Sequence, residues 1–324
     1  MAPSSLHRLA LAGMVAFLVT IVAAAQPGFQ TPATTGASNQ LPVSEIVRLA
    51  LARATAQDKA KTELRFESLV ATTVESLNDE AEVTSIETTL HRRYPFDGTV
   101  YEELIARNGE PLSEADIRDE AKRRADFRRE LQEAEAGGKV LETNDERQVR
   151  FNEDLMARYE AAVVGEDTVR GERCWAISFW PRDGTLPYRG ITQPEFLRMS
   201  AQTEPGDTVG DMLKRLAELP LNFQRNTRID RALNQSSGEV YVSQNDYGVV
   251  QIDFRLLQPV RYVWGLVASL SRLTGQLGFQ RVAPDIWLPS SYDVRYERRI
   301  FFVTQRRHIV REWRERRPVS GNTG

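Results

Sequence analysis

The chain has 324 residues, 41% of them hydrophobic and 27% charged, with a formal net charge of −3 from 42 basic and 45 acidic side chains. That composition supplies ample apolar material for a core and excludes a disordered or collagen-like chain; its charge balance gives no electrostatic case for a dedicated nucleic-acid binder. A single cysteine, Cys174, excludes a disulfide scaffold, a cysteine-ligated zinc site and an iron–sulfur cluster.

The N-terminal stretch MAPSSLHRLALAGMVAFLVTIVAAA places Arg8 before an apolar run from Leu9 to Val22 and ends in Ala23-Ala24-Ala25. A basic start, an apolar centre too short to span a bilayer and a small-residue exit predict a secretory signal peptide over residues 1–25, cleaved near Ala25. Residues 26–40, rich in Pro, Gly, Ser, Thr and Gln, read as a flexible leader. One domain is expected over 41–317, followed by a disordered tail at 318–324.

Leu41 to Gln57 carries Val43, Ile46, Val47, Ala50 and Ala54 at helical spacing and predicts an amphipathic helix. From Glu63 the pattern alternates through Phe66, Val70, Thr72 and Val74, which predicts a long half-buried strand. A polar turn at Asn78-Asp79-Glu80 leads to its hairpin partner, Val83 to Tyr94; Pro95 to Gly98 turns again, and Val100 to Arg107 reads as a third strand. Pro111 to Ala136 is a charged helical insertion: Ser113 and Asp116 form a capping-box variant, Gly137-Gly138 ends it, and charges of both signs predict a solvated helix laced by i,i+4 ion pairs. Phe151, Leu155 and Tyr159 form one stripe of a further helix expected from Asp145 to Ala162.

Strands dominate the rest. Cys174 to Trp180 is closed by Pro181; Glu239 to Ser243 and Val249 to Leu257 flank a turn at Asn245 to Gly248; Trp287 to Glu297 and Ile300 to Arg307 follow, and His308 to Arg314 extends the sheet. Val209, Met212, Leu213, Leu216 and Leu219 form one helical stripe ended by Pro220. Helices and antiparallel hairpins without βαβ alternation predict an α+β fold or a curved antiparallel sheet with helices on one face.

Motifs for chemistry are missing: the sequence has no GxGxxG, P-loop, HExxH or GxSxG pattern. Of three histidines, His7 is expected to leave with the signal peptide, and His91 and His308 stand far apart. Cys174 reads as a small core residue. No catalytic, cofactor or metal site is expected. Asn234 to Ser236 is a glycosylation sequon, and nine arginines crowd Arg295 to Arg317, interrupted by Glu297, Glu312 and Glu315.

Three segments, Phe151 to Arg182, Ser237 to Val260 and Ala283 to Arg295, resemble exported proteins of the outer-membrane lipoprotein-sorting group, the periplasmic lipoprotein carrier and its receptor. The resemblance implies an unclosed antiparallel barrel over helices, lipoprotein-carrier-like, whose apolar concave surface holds acyl chains. It implies a periplasmic, non-enzymatic binding or carrier protein. The partner would be a hydrophobic small molecule, lipid or lipoprotein acyl chain, possibly with an envelope protein, without nucleic acid and with at most peripheral membrane contact. Candidate lining residues are Leu64, Phe66, Val70, Val240, Val242, Ile252, Phe254, Trp264 and Leu266. An envelope scaffold without ligand and a carboxylate-dependent hydrolase are the alternatives.

Overall fold

A computed structural model describes residues 41–137, 153–182, 231–262, 268–300 and 302–319. The expected signal peptide and leader, the helical stripe Val209 to Leu219, and Trp264 and Leu266 lie outside the described residues. The fold is α+β. Helix α1 (Val43–Lys59) and a 3-10 turn (Thr62–Arg65) precede β1 (Phe66–Leu77), β2 (Val83–Phe96), β3 (Thr99–Arg107), β4 (Glu110–Pro111) and α2 (Glu114–Ala136). Helix α3 (Glu153–Met156) leads to β5 (Tyr159–Val169) and β6 (Glu172–Pro181). Strands β7 (Ser236–Ser243), β8 (Val249–Leu256), β9 (Val260–Tyr262), β10 (Ala268–Ala283), β11 (Ile286–Ile300) and β12 (Val303–Pro318) complete the order.

All twelve strands join one antiparallel sheet in the order β4-β3-β2-β1-β12-β11-β10-β8-β7-β6-β5, with β9 beside β10. The path ends at β4 and β5, which do not pair, so the sheet is unclosed. The first strand pairs with the last, placing the β1–β4 meander as one wing and β5–β8 as the other, with the long β10, β11 and β12 between them.

Strand alternation gives this sheet two unlike faces. One cross-strand row runs Val74, Ile309, Val294, Gly275, Phe254, Gly238, Phe179, Ala161, and the next runs Thr72, Arg311, Tyr292, Leu277, Ile252, Val240, Ile177, Val163. Most of these are apolar and buried, and they define the inner face. Gly275 is required in its row: a Cβ there would lie 2.5 Å from Val294 Cγ2 and 2.6 Å from Phe254 Cζ, so the Phe254 ring occupies the place a side chain would take. On the opposite face, Arg170 reaches Ser290, Ser291 and Gln251; Asp253 accepts from Gln251 and Gln276; and His308 sits 2.8 Å from Glu75 and 2.9 Å from Asp293.

Three expectations need correction. The alternation starting at Glu63 is interrupted, because Thr62–Arg65 forms a 3-10 turn and the strand starts at Phe66. The helix expected to run to Ala162 stops at Met156, and Tyr159 opens β5 instead. The i,i+4 match of Leu155 and Tyr159 is a coincidence overridden by a ladder of hydrogen bonds with β6, where Tyr159 pairs with Pro181 and Val163 with Ile177. Simple alternation along Val249 to Leu257 puts Val250 on one face with Ile252 and Phe254, and the structure does not. A bulge pairs Val242 with Val249 and leaves Val250 the extra residue, which packs with Cys174 and Trp287. At the C-terminus the chain stays ordered past 317: β12 includes Pro318, and the Val319 N–H donates to Arg65 O at 2.9 Å.

The charged insertion forms the helix its cap predicts, with Ser113 Oγ accepting from the Asp116 N–H at 3.2 Å. Ion pairs at i,i+3 and i,i+4 are present, Arg118 to Glu114 and Arg129 to Asp126 and Glu133 among them. The helix is also docked. Phe127 packs on Phe96 and Tyr101 at ring centroid distances of 6.1 and 5.2 Å, and Arg123, Arg124 and Arg128 lie over those two rings. Tyr101 and Glu103 alternate with Glu102, so α2 lies on the face opposite the one that carries Glu102 and the apolar rows.

Candidate functional site

The inner face of β5–β8 and β10–β12 carries the larger of the two buried apolar clusters among the described residues, and α1 packs into it. Ile46 and Ala50 are fully buried in one core cluster with Val240, Val242, Ile252, Phe254, Leu273 and Tyr292, and Val43 and Val47 are packed against that cluster. The residues that touch the sheet follow one helical stripe, Val43, Ile46, Val47, Ala50, Arg53, Gln57. The stripe changes character along its length: its N-terminal half is hydrocarbon and its C-terminal half is polar.

That polar half is a clamp. Arg53 Nη1 donates to Asp246 O at 2.6 Å, and its Nη2 pairs with the carboxylates of Asp246 at 3.2 Å and Asp285 at 3.1 Å. Gln57 Oε1 accepts from the Trp287 N–H at 2.7 Å, and the Trp287 indole donates to Asp246 Oδ2 at 3.1 Å. Arg281 lies 5.1 Å from the Trp287 ring and 3.5 Å from Asp246. Burial pushes the Asp246 carboxyl up, but the Gly248 N–H, the Trp287 indole and the two guanidiniums more than offset it and hold the group below its ordinary range. The clamp fixes one end of α1 to the β7–β8 turn and to the start of β11.

On the first wing the inner face is charged. Glu102 pairs with Arg311 and lies 3.5 Å from Arg93, which also meets Glu63 at 3.0 Å. Burial pushes the Glu102 carboxyl up, and Arg311, Arg93 and His91 together bring it below its ordinary value. Burial depresses the neighbouring His91 imidazole to about 4, which leaves it neutral near pH 7. A few strands therefore separate a hydrocarbon surface from a set of paired charges on the same side of the sheet.

The nine candidate lining residues fall into three groups. Val240, Val242, Ile252 and Phe254 come together in the core cluster that Ile46 and Ala50 of α1 join. Val70 is fully buried on the first wing, whereas Leu64 on the 3-10 turn and Phe66 at the start of β1 are half-buried at the far end of that strand. Trp264 and Leu266 are outside the described residues. Sequence reasoning missed Tyr292, Val294 and Tyr296, which alternate cleanly on β11, and missed the clamp of Arg53, Gln57, Asp246 and Trp287, which has no local signature. The sequon asparagine is buried, its Oδ1 accepting from Arg158 at 2.9 Å, so it is not a surface acceptor.

Groups suited to covalent chemistry are placed poorly for it. Cys174 is fully buried, and burial pushes its thiol up to about 11, the wrong direction for a nucleophile. Among the described residues no group of three or more His, Cys, Asp or Glu is placed to hold a metal ion, and no helix is long and apolar enough to cross a membrane.

No protein-family model matches the chain, and no curated protein matches it. The chain resembles solved lipoprotein-sorting-like structures at low identity over most of its length. A protein of the DUF1329 family from Desulfovibrio piger is 12% identical, over 86% of this chain and 95% of that one, with a TM-score of 0.24. A domain assigned to outer-membrane lipoprotein sorting from Vibrio parahaemolyticus is 10% identical, over 86% and 94%, with a TM-score of 0.27. A LolA-superfamily protein from Nitrosomonas europaea is 9% identical, over 85% and 94%, with a TM-score of 0.23. At these values the likeness assigns no function, and the geometry described above has to supply one.

Proposed function

We propose that the chain is an exported, non-enzymatic binding or carrier protein of the periplasm that shelters a hydrophobic ligand, an acyl chain or lipid, against the inner face of its sheet. The observation that carries this reading is the division of α1: hydrocarbon contact along its first half, a polar clamp along its second. A helix held in this way can swing its N-terminal half off the sheet while its C-terminal half stays attached. Lifting that half uncovers Val240, Val242, Ile252 and Phe254, and hydrocarbon from a ligand replaces the contacts of Ile46 and Ala50. The exchange favours a long-chain ligand, since a large apolar side chain such as Ile46 contributes about 1.5–3 kcal/mol on burial and an acyl chain about 0.8 kcal/mol for each methylene. Such binding needs no catalytic group, in keeping with the inert placement of Cys174. Leu64, Phe66 and Val70 extend the same proposed surface toward the first wing.

The test is native mass spectrometry of protein purified from its own envelope, followed by organic extraction and lipid analysis. The expected result is a bound species of lipid mass that organic solvent removes. Protein emerging from the envelope with no adduct, and unable after delipidation to bind a fluorescent fatty acid above a non-specific control, overturns the reading.

A further inference from the structure

Strand β12 leaves its register with β1 at one place. Leu69 pairs with Arg314 and Glu67 with Arg317, so Glu315 and Arg316 stand together against Ser68. Glu315 takes up the extra place with φ 47°, a left-handed backbone uncommon outside glycine. In an unbroken ladder Arg316 would pair with Glu67 on the outer face, beside an acid. The bulge moves it instead to the inner face, in the cross-strand row of Ser68, Arg93 and Glu102.

On that face the neighbouring acids are already engaged. Arg93 meets Glu63 at 3.0 Å and lies 3.5 Å from Glu102, which also pairs with Arg311. Glu67 pairs with Arg92, and the two acids of this stretch of β12, Glu312 and Glu315, pair with Arg314 and Arg317. Among the described residues no carboxylate meets Arg316. Its Nη2 donates to Pro289 O at 2.5 Å, a bond that needs no charge, and its Nη1 is buried without a hydrogen-bond partner. Burial and the like charge of Arg93 push the guanidinium down to about 10, so it remains charged near neutral pH. A half-buried cation in this position is unfavourable unless something else supplies the negative charge.

Pro289 lies two residues beyond Trp287, where Gln57 fixes α1, and three residues, about 10 Å of strand, before Tyr292 in the apolar cluster. We infer that Arg316, with Arg93 beside it, seats the anionic head of an amphiphile, a carboxylate or a phosphate, whose hydrocarbon lies on the inner face. This site depends on the carrier function proposed above and narrows its ligand class. The guanidinium N–H groups match the oxygens of either anion. The head would sit at the fixed end of α1, and the chain would run toward the half that lifts. A free phosphate offers the same oxygens without the hydrocarbon.

Titration of delipidated protein with a fluorescent fatty acid, with the alcohol of the same chain and with inorganic phosphate tests the inference. Wild type should bind the acid about tenfold more tightly than the alcohol, the worth of one charge-assisted hydrogen bond. Arg316→Gln should weaken binding of the acid about tenfold and leave the alcohol unchanged, and Arg316→Lys should keep part of the preference. Thermal unfolding of ligand-free Arg316→Gln should match wild type or come later, since the substitution removes a charge that has no counter-ion. Equal binding of acid and alcohol by wild type, or a preference that survives Arg316→Gln, overturns the inference and leaves the carrier function standing; binding of neither probe overturns both. Phosphate that protects wild type but not Arg316→Gln from unfolding, without any preference for the acid, marks a free-anion site and overturns the assignment to a lipid head. A variant that unfolds early and loses both probes makes Arg316 a structural residue, which also overturns it.

Discussion

Two helices dock on this sheet by opposite means. Helix α1 rests hydrocarbon on hydrocarbon over the inner face and is fixed by polar groups only at its C-terminal half. Helix α2 lies on the other face of the first wing, where Phe127 enters an aromatic cluster and three arginines cover the rings. Its anchors are spread along several turns: Glu120 accepts from the Tyr101 hydroxyl at 2.8 Å, Arg124 meets Glu103, and Arg128 meets Asp97. The difference separates a cover from a strut. Apolar contact is non-directional and can be handed to a ligand, whereas a set of directional contacts distributed along a helix holds it in one place.

Substitutions that break this contrast should differ in size. Phe254→Ala empties the inner face beneath α1 and should cost about 3–5 kcal/mol in urea unfolding. Phe127→Ala should cost less, about 2 kcal/mol, and its effect should be local: amide exchange should rise in α2 while α1 and the central strands keep their protection. Arg53→Ala should cost about 1–2 kcal/mol and raise exchange in α1 alone, because it removes charged hydrogen bonds to Asp246 and Asp285 and leaves the Ile46 contact in place.

The smallest expected effect is a pH limb that belongs to the first wing. His91 titrates near 4 in the fold, against an ordinary value of 6.5, so the unfolded chain takes up its proton first. Stability should therefore fall as pH drops below about 6.5 and level off near pH 4. The charges that act on the imidazole are those of Glu102 and Arg311 on its own face and, through the sheet, Arg123 and Glu120 of α2. His91→Asn should flatten that limb in a series of urea melts and leave α1 exchange unchanged.

Much of this architecture is legible in local sequence. The α1 stripe and the Ser113–Asp116 cap write two helices, and the alternation in β1, β6, β7 and β8 writes four of the twelve strands. Strand β10 is hidden for a physical reason. A bulge between Leu270 and Arg272 shifts the inward positions from Leu270 to Leu273, and Gly275 occupies the next inward place, so no period of two shows. Of the candidate site, the four residues under α1 are readable as inward positions. What covers them is not, because Arg53 and Asp246 are 193 residues apart and meet only once the sheet is assembled.

The most direct measurement combines ligand binding with exchange. Delipidated protein is titrated with a fluorescent fatty acid while amide exchange is followed in Val43–Lys59 and Glu114–Ala136. The account predicts saturable binding, faster exchange in the N-terminal half of α1 as the ligand replaces Ile46 and Ala50, and no change in α2. Binding that leaves α1 exchange unchanged, or no binding above a non-specific control, would contradict the claim that α1 covers a ligand surface.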